Sequence, residues 1–283
     1  MATLVETNTT PLGRVDVDPV TVDIIENALR NARYEMDAVL FRTAMSPGIR
    51  EQHDEFPLIA DPTGKMVVGQ FGLSIPDFLA GFEGSVEEGD VLMTSDPYAC
   101  GAAISHANDW LVVMPIFHSG RIVGWAAMFG HMTDVGGKVP GSLPTDAAQI
   151  FEEGLQIPPV KIFRKGELNT ELFSLLVRNV RMPHWNRADF DAIIAALRLA
   201  ERRVHEMIGR FGVDEYIAAM QEMLARNHSA MSTIIKMVIP EKAQSFEDYI
   251  DDDGVGMGPY KIACKMWREG DKCIFDFAGT DPQ

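Results

Sequence analysis

Apolar positions step at helical spacing near the start of the chain and again past its middle, with short alternating runs between. Ile25, Leu29, Ala32, Met36 and Leu40 recur every three or four residues, which predicts an amphipathic helix. Asp18 is a capping residue and Pro19 suits the first helical position, so the helix begins there and stops at Ser46-Pro47-Gly48. The texture then changes. Phe56 to Ala60 and Met66 to Val68 flank Asp61-Pro62-Thr63-Gly64, which is turn chemistry for a hairpin. Asp90 to Thr94, Trp110 to Phe117 and Arg121 to Phe129 read as strands, the last two paired through a Ser119-Gly120 turn. Val135 to Pro159 is rich in Gly and Pro and predicts a long structured loop, of the kind that usually serves a function. Helices are predicted again at Glu171 to Val180, Arg187 to Phe211 and Asp214 to about Met237, and a last hairpin at Tyr260 to Ala278 around Glu269-Gly270-Asp271.

The expected class is therefore α+β. An N-terminal helix precedes a central sheet of antiparallel hairpins, then come the loop, a helical region and a C-terminal hairpin. The expected divisions are a flexible tail over 1–17, an α+β domain over 18–165, a helical region over 166–240 and a hairpin segment over 241–283 that continues into a further part.

Charge narrows the function. With 25 Lys and Arg against 41 Asp and Glu the formal charge is −16, and no basic run exceeds two residues. A surface that displaces counterions from nucleic acid, or that seats on anionic lipid, is not expected. The first fourteen residues carry no apolar signal core, and no apolar stretch approaches ~20 residues. The three cysteines, Cys100, Cys264 and Cys273, form no C-x-x-C pair and read as free thiols. A cytoplasmic protein is the expectation.

Two copies of His-x-x-Asp flank the central hairpin, His106-Ala-Asn-Asp109 and His131-Met-Thr-Asp134. A two-residue turn at Ser119-Gly120 sets Asp109 opposite Gly130 and Asn108 opposite His131, so both motifs meet at the open end of one hairpin. Residues three apart on a strand face opposite ways, so His106 and Asp109 converge only if the chain bends at strand entry. With that bend, His106, Asp109 and His131 form a two-histidine, one-carboxylate set suited to Mn, Fe or Zn. Asp134 is then an orienting partner, a fourth ligand or a general base. One such motif alone reads as histidines at strand ends; two at matched register favour the metal. Asp96 reads as a turn residue, and Lys138 after Gly136-Gly137 lacks the spacing and the Ser or Thr of a phosphate-binding loop. Asp251-Asp252-Asp253-Gly254 reads as an exposed turn, since Tyr249 occupies the first position of a calcium loop. No nucleophile elbow and no Cys/His nucleophile pair is evident.

Ser95-Asp96-Pro97-Tyr98, the two His-x-x-Asp motifs, Val135-Gly136-Gly137, Pro140-Gly141-Ser142 and Gly154 to Lys161 occur in one order. In this the chain resembles the hydantoinase B / oxoprolinase family from Asp18 onward, over the N-terminal part of the family's length. The resemblance implies a subunit of a hetero-oligomer whose hydantoinase A-type, actin-like ATPase partner binds ATP and magnesium. It also implies that the metal ligands are His106, Asp109 and His131, as in acetone-carboxylase-like members. Departures at Asp77 to Gly81, Gly101 to His106 and Gln52 to Pro57 lean toward the carboxylases. The leading expectation is thus a metal-binding subunit of an ATP-dependent, biotin-independent carboxylase that joins bicarbonate to a ketone. Asp134, His53 and Asp54 are its candidate proton carriers. The alternatives are a subunit of an ATP-dependent cyclic-amide hydrolase and a silent scaffold that docks the ATPase.

Overall fold

The computed structural model describes residues 17–70 and 74–282; the expected tail over 1–17 lies almost wholly outside them. The first helix, α1 (Pro19–Thr43), starts where its cap predicts, with the Asp18 carboxylate accepting the Thr21 backbone N–H. Its stripe of Val22, Ile25, Leu29, Ala32, Met36 and Leu40 is buried, each large side chain stabilising by roughly 1.5–3 kcal/mol. A short helix α2 (Pro47–Arg50) follows, then strands β1 (Leu58–Ala60) and β2 (Met66–Gly69), helix α3 (Ile75–Ala80) and strand β3 (Val91–Thr94). The long central pair is β4 (Asp109–His118) and β5 (Arg121–His131), and β6 (Val160–Arg164) and β7 (Glu167–Leu168) complete the strands of this region. Helices α4 (Thr170–Arg178), α5 (Pro183–Phe211) and α6 (Val213–Val238) precede the final strands β8 (Gln244–Ile250), β9 (Tyr260–Glu269) and β10 (Lys272–Asp276).

The α+β expectation holds. The first seven strands form one sheet in the order β2-β1-β5-β4-β3-β6-β7, with every adjacent pair antiparallel. The strands β6, β7 and β8 and helix α3 were not expected. Each is short or mostly polar, and β8 is exposed along its whole length, so no buried stripe marks it. Among the described residues no helix is long and apolar enough to cross a membrane.

The chain divides into two compact units, Met1–Leu143 with Gln149–Gln221, and Pro144–Ala148 with Glu222–Gln283. In the second, β10-β9-β8 make a three-stranded antiparallel sheet, and the Asp253 carboxylate caps a turn by accepting the Val255 and Met257 N–H groups. In the first, α1 and α5 pack together, and α5 lies on β4 and β5. Gly130 permits that approach: a Cβ there would meet Ile49 Cδ1 at 2.9 Å and Ile193 Cδ1 at 3.2 Å. The opposite face of the sheet carries a second apolar layer, in which Leu111, Val113, Ala127 and Phe129 pack with Phe78, Cys100 and Ile104. Side chains alternate along a strand, so Asp109 and His131 continue this second face.

A buried carboxylate ties α5 to the corner between α1 and α2. Asp189, fully buried, accepts the N–H groups of Met45 and Ser46 and the Ser46 hydroxyl, and Ser46 Oγ accepts the Thr133 N–H at 3.1 Å. Thr133 lies two residues past the end of β5, so this network anchors the chain as it leaves His131. Asp189→Ala is expected to lower unfolding stability by about 3 kcal/mol or more, because it strands several donors out of water. Asp189→Asn, which keeps one acceptor, is expected to lose less. Urea unfolding of the three proteins checks both, and an Asp189→Ala variant within ~0.5 kcal/mol of wild type would refute the network's role.

Candidate functional site

Register decides the site, and it differs from the expectation by one residue. His118 faces Arg121 and Phe117 faces Ile122, but Ile116 faces Gly124, so Val123 is an extra residue on β5. This bulge moves every later pair by one. Asp109 therefore stands opposite His131, and Trp110 opposite Gly130. Directly opposed residues share a face, so the bulge aims the Asp109 carboxylate and the His131 ring at the same point.

His106 reaches that point from outside the strand. The Asp109 N–H bonds the His106 carbonyl at 3.3 Å, closing a turn at strand entry that supplies the required bend. His106 Nε2, His131 Nδ1 and Asp109 Oδ1 then form a triangle with edges of 3.0, 3.2 and 3.3 Å. Three donors on one cation with bonds of ~2.0–2.1 Å lie roughly 3.0–3.4 Å apart, so this set fits a divalent ion without rearrangement. Ser105 Oγ lies 2.8 Å from His106 Nδ1 and fixes that ring. Gly48 leaves room for the other ring, since a Cβ there would meet His131 Cδ2 at 3.2 Å.

Burial sets the electrostatics. It pushes the Asp109 carboxyl up, but hydrogen bonds from the two histidines outweigh it and hold the group below the usual carboxylate range. The same bond to Asp109 raises His106 against the opposing effect of its own burial. Asp54 stands beside the triangle, its Oδ2 3.5 Å from His131 Nδ1, because its carbonyl accepts the His131 N–H at 3.2 Å. Glu55 continues this segment in a bridge to Gly130. A cavity of about 200 Å3 opens against the triangle. Its lining mixes the polar residues Asp54, Ser105, His106 and Asp109 with Phe56, Ala102, Ala103, Ile104 and Phe129.

The remaining candidates stand elsewhere. The His53 ring packs edge-on against Phe41 at 4.1 Å. Asp134, although it repeats the spacing of Asp109, is bound within the Gly/Pro-rich loop. Its carboxylate accepts the N–H groups of Gly136, Gly141 and Arg181 and the Arg181 guanidinium, which outweigh burial and keep it ionised below the usual range. Arg181 also donates to the carbonyls of Gly136, Gly137 and Val139, so the pair shapes this loop. Ser105, Phe56, Phe129 and Arg181 were not singled out by sequence, and only Ser105, adjacent to a candidate ligand, carried a usable signal.

The hydantoinase B/oxoprolinase family pattern matches residues 18–283. The chain belongs to this family. Over 265 residues it is 33% identical to the caprolactamase subunit beta of Pseudomonas jessenii, an alignment covering 90% of this chain and 45% of that one. The crystal structure of the ATP-dependent caprolactamase from Pseudomonas jessenii superimposes with a TM-score of 0.83 at 30% identity, over 92% of this chain and 46% of that one. The nucleotide-free structure of acetone carboxylase gives a TM-score of 0.85 at 18% identity, over 93% and 37%, and so shares the fold. The chain spans about half the length of the subunit relatives it matches and about a quarter of the 5-oxoprolinases.

Proposed function

We propose that this chain is the metal-holding part of an ATP-dependent enzyme that opens a cyclic amide. The observation that carries the reading is the triangle of His106, Asp109 and His131 beside a cavity, in a chain one-third identical to a caprolactamase subunit. A relative that is itself a subunit, the caprolactamase subunit beta, supports a separate ATPase partner of the hydantoinase A type in a hetero-oligomer. The partner's ATP and magnesium would convert the amide oxygen into a phosphate ester. The free thiols and the need for ATP suit the cytoplasm.

His106, Asp109 and His131 would hold Zn, Mn or Fe. That ion supplies Lewis acidity toward a carbonyl or phosphoryl oxygen. The chain's own residues orient and exchange protons. Asp54, on the cavity wall and beside His131, is placed to take the proton from a water that adds to the carbonyl carbon. Ser105 keeps the His106 ring aimed at the reacting face. Phe56 and Phe129 in the lining put apolar surface beside the donors, which strengthens their electrostatic action.

The second reading is ketone carboxylation with bicarbonate, in which the same ion would stabilise an enolate oxygen. It is favoured by the likeness to the acetone carboxylase fold. ATP hydrolysis by the reconstituted complex separates the two. Stimulation of at least about tenfold by ε-caprolactam, with release of the open amino acid, is expected. Stimulation only by acetone together with labelled bicarbonate, with label in a β-keto acid, would replace the hydrolase reading by the carboxylase. Stimulation by neither would leave the scaffold alternative.

A further inference from the structure

The direction of the hydrogen bond between Ser105 and His106 is set by what the imidazole does at its other nitrogen. His106 turns Nε2 toward His131 Nδ1 and Asp109 Oδ1, at 3.0 and 3.3 Å. Its Nδ1 lies 2.8 Å from Ser105 Oγ. A neutral imidazole carries a single proton, so when Nε2 gives its lone pair to a cation the proton sits on Nδ1. The ring then donates and Ser105 Oγ accepts. The hydroxyl's own hydrogen is left to be given elsewhere.

Ser105 lines the cavity together with Asp54, His106 and Asp109, and the rest of the described lining is apolar. The carboxylates of Asp54 and Asp109 accept hydrogen bonds. With His106 engaged at both ring nitrogens, the Ser105 hydroxyl is the side-chain donor that remains for a ligand. The two nitrogens of an imidazole point apart, so the triangle and Ser105 Oγ stand at opposite sides of the ring. A ligand oxygen seated at the triangle therefore leaves the hydroxyl for a second acceptor on the same molecule. A lactam has one oxygen, and its N–H is a donor, so it brings no second acceptor. Its phosphate ester does, because several oxygens surround one phosphorus and lie side by side.

From this we infer that Ser105 contacts the substrate, donating its hydroxyl hydrogen to a phosphoryl oxygen of the activated lactam while it accepts from His106 Nδ1. The assignment rests on the cyclic-amide reading for the identity of the substrate. A hydrogen bond made only after phosphorylation favours the activated species over the resting lactam, so it contributes to kcat and leaves KM for the lactam alone.

Inorganic phosphate is the probe for the contact. The Zn-loaded chain is expected to bind it, and nitrogen-15 NMR of the same sample is expected to find the His106 proton on Nδ1. Ser105→Ala is expected to weaken Zn binding about ten- to 100-fold, so variants are compared at saturating Zn. There it is expected to bind phosphate at least about tenfold more weakly than the wild type. Ser105→Thr keeps the hydroxyl and is expected to stay within about threefold. Position 105 is exposed, which both variants tolerate without loss of the fold. In the complex with its ATPase partner, Ser105→Ala is expected to lower kcat for ε-caprolactam at least about tenfold at unchanged KM. Undiminished phosphate affinity in Ser105→Ala, or no phosphate binding by the wild type, would overturn the inference while leaving ATP-coupled lactam opening in place. A His106 proton on Nε2 in the Zn-loaded protein would overturn it as well. Loss of phosphate affinity in Ser105→Ala, with no ATP-coupled opening of ε-caprolactam by the wild-type complex, would overturn the cyclic-amide reading and uphold the contact.

Discussion

Asp109→Asn is expected to remove a near-stoichiometric divalent metal from the purified protein and to lower ATP-coupled turnover by at least about 10^3-fold, with the fold intact. The argument is geometric. Asp109 is buried at the first position of β4, its carboxylate 3.2 Å from His131 Nδ1 and 3.3 Å from His106 Nε2. Asparagine has the same shape and keeps one acceptor oxygen for the histidines, so the strand end tolerates it. It lacks the negative charge that a dication needs from the single anionic member of the triangle. His131→Ala is expected to lose the metal as well, by deleting a second donor. Elemental mass spectrometry reads the metal, and near-ultraviolet circular dichroism checks the packing of the nearby aromatic side chains. Metal content unchanged in both folded variants would refute the site and return the triangle to a hydrogen-bonded cluster of two histidines and a carboxylate.

How much of this was legible in the sequence differs from element to element. The stripe from Val22 to Leu40 and that from Ile193 to Ile208 place α1 and α5, because a buried helical face must repeat every three to four residues. The triangle was legible as residue types, since two His-x-x-Asp motifs flank one hairpin. Its register was not. The bulge at Ile116 and Phe117 leaves no mark in a pair of nearly continuous apolar strands, yet it alone brings Asp109 opposite His131. Asp134 shows the same limit from another side. Its spacing from His131 equals that of Asp109 from His106, but the chain turns after β5 and the carboxylate meets Arg181, 47 residues on. Only folding reveals that partner. The cavity wall was invisible for a similar reason, because Phe56 and Phe129 lie far apart in sequence and each reads as an ordinary strand residue.

Glu55→Gln is expected to remove a slope from the dependence of stability on pH, by an amount of the order of several kcal/mol. Glu55 is 2% exposed, and its Oε2 has no hydrogen-bond partner among the described residues. Burial, and then the nearby charges of Asp37 and Asp54, push its carboxyl up to about 8, with Arg33 opposing them. In the unfolded chain the same group titrates near 4.5. The folded state therefore binds the proton more tightly, and stability from this group is complete below the unfolded value. It declines as pH rises between the two values and is lost once pH passes the folded one. Glutamine copies the neutral acid and has no proton to lose. The variant should match the wild type below about pH 4 and exceed it increasingly up to about pH 8, beyond which the difference levels off. Urea midpoints of both proteins across this range give the difference directly, free of the other carboxylates that titrate in each. A difference that stays constant with pH would show that Glu55 is ionised in the folded protein and that its buried surroundings tolerate the charge.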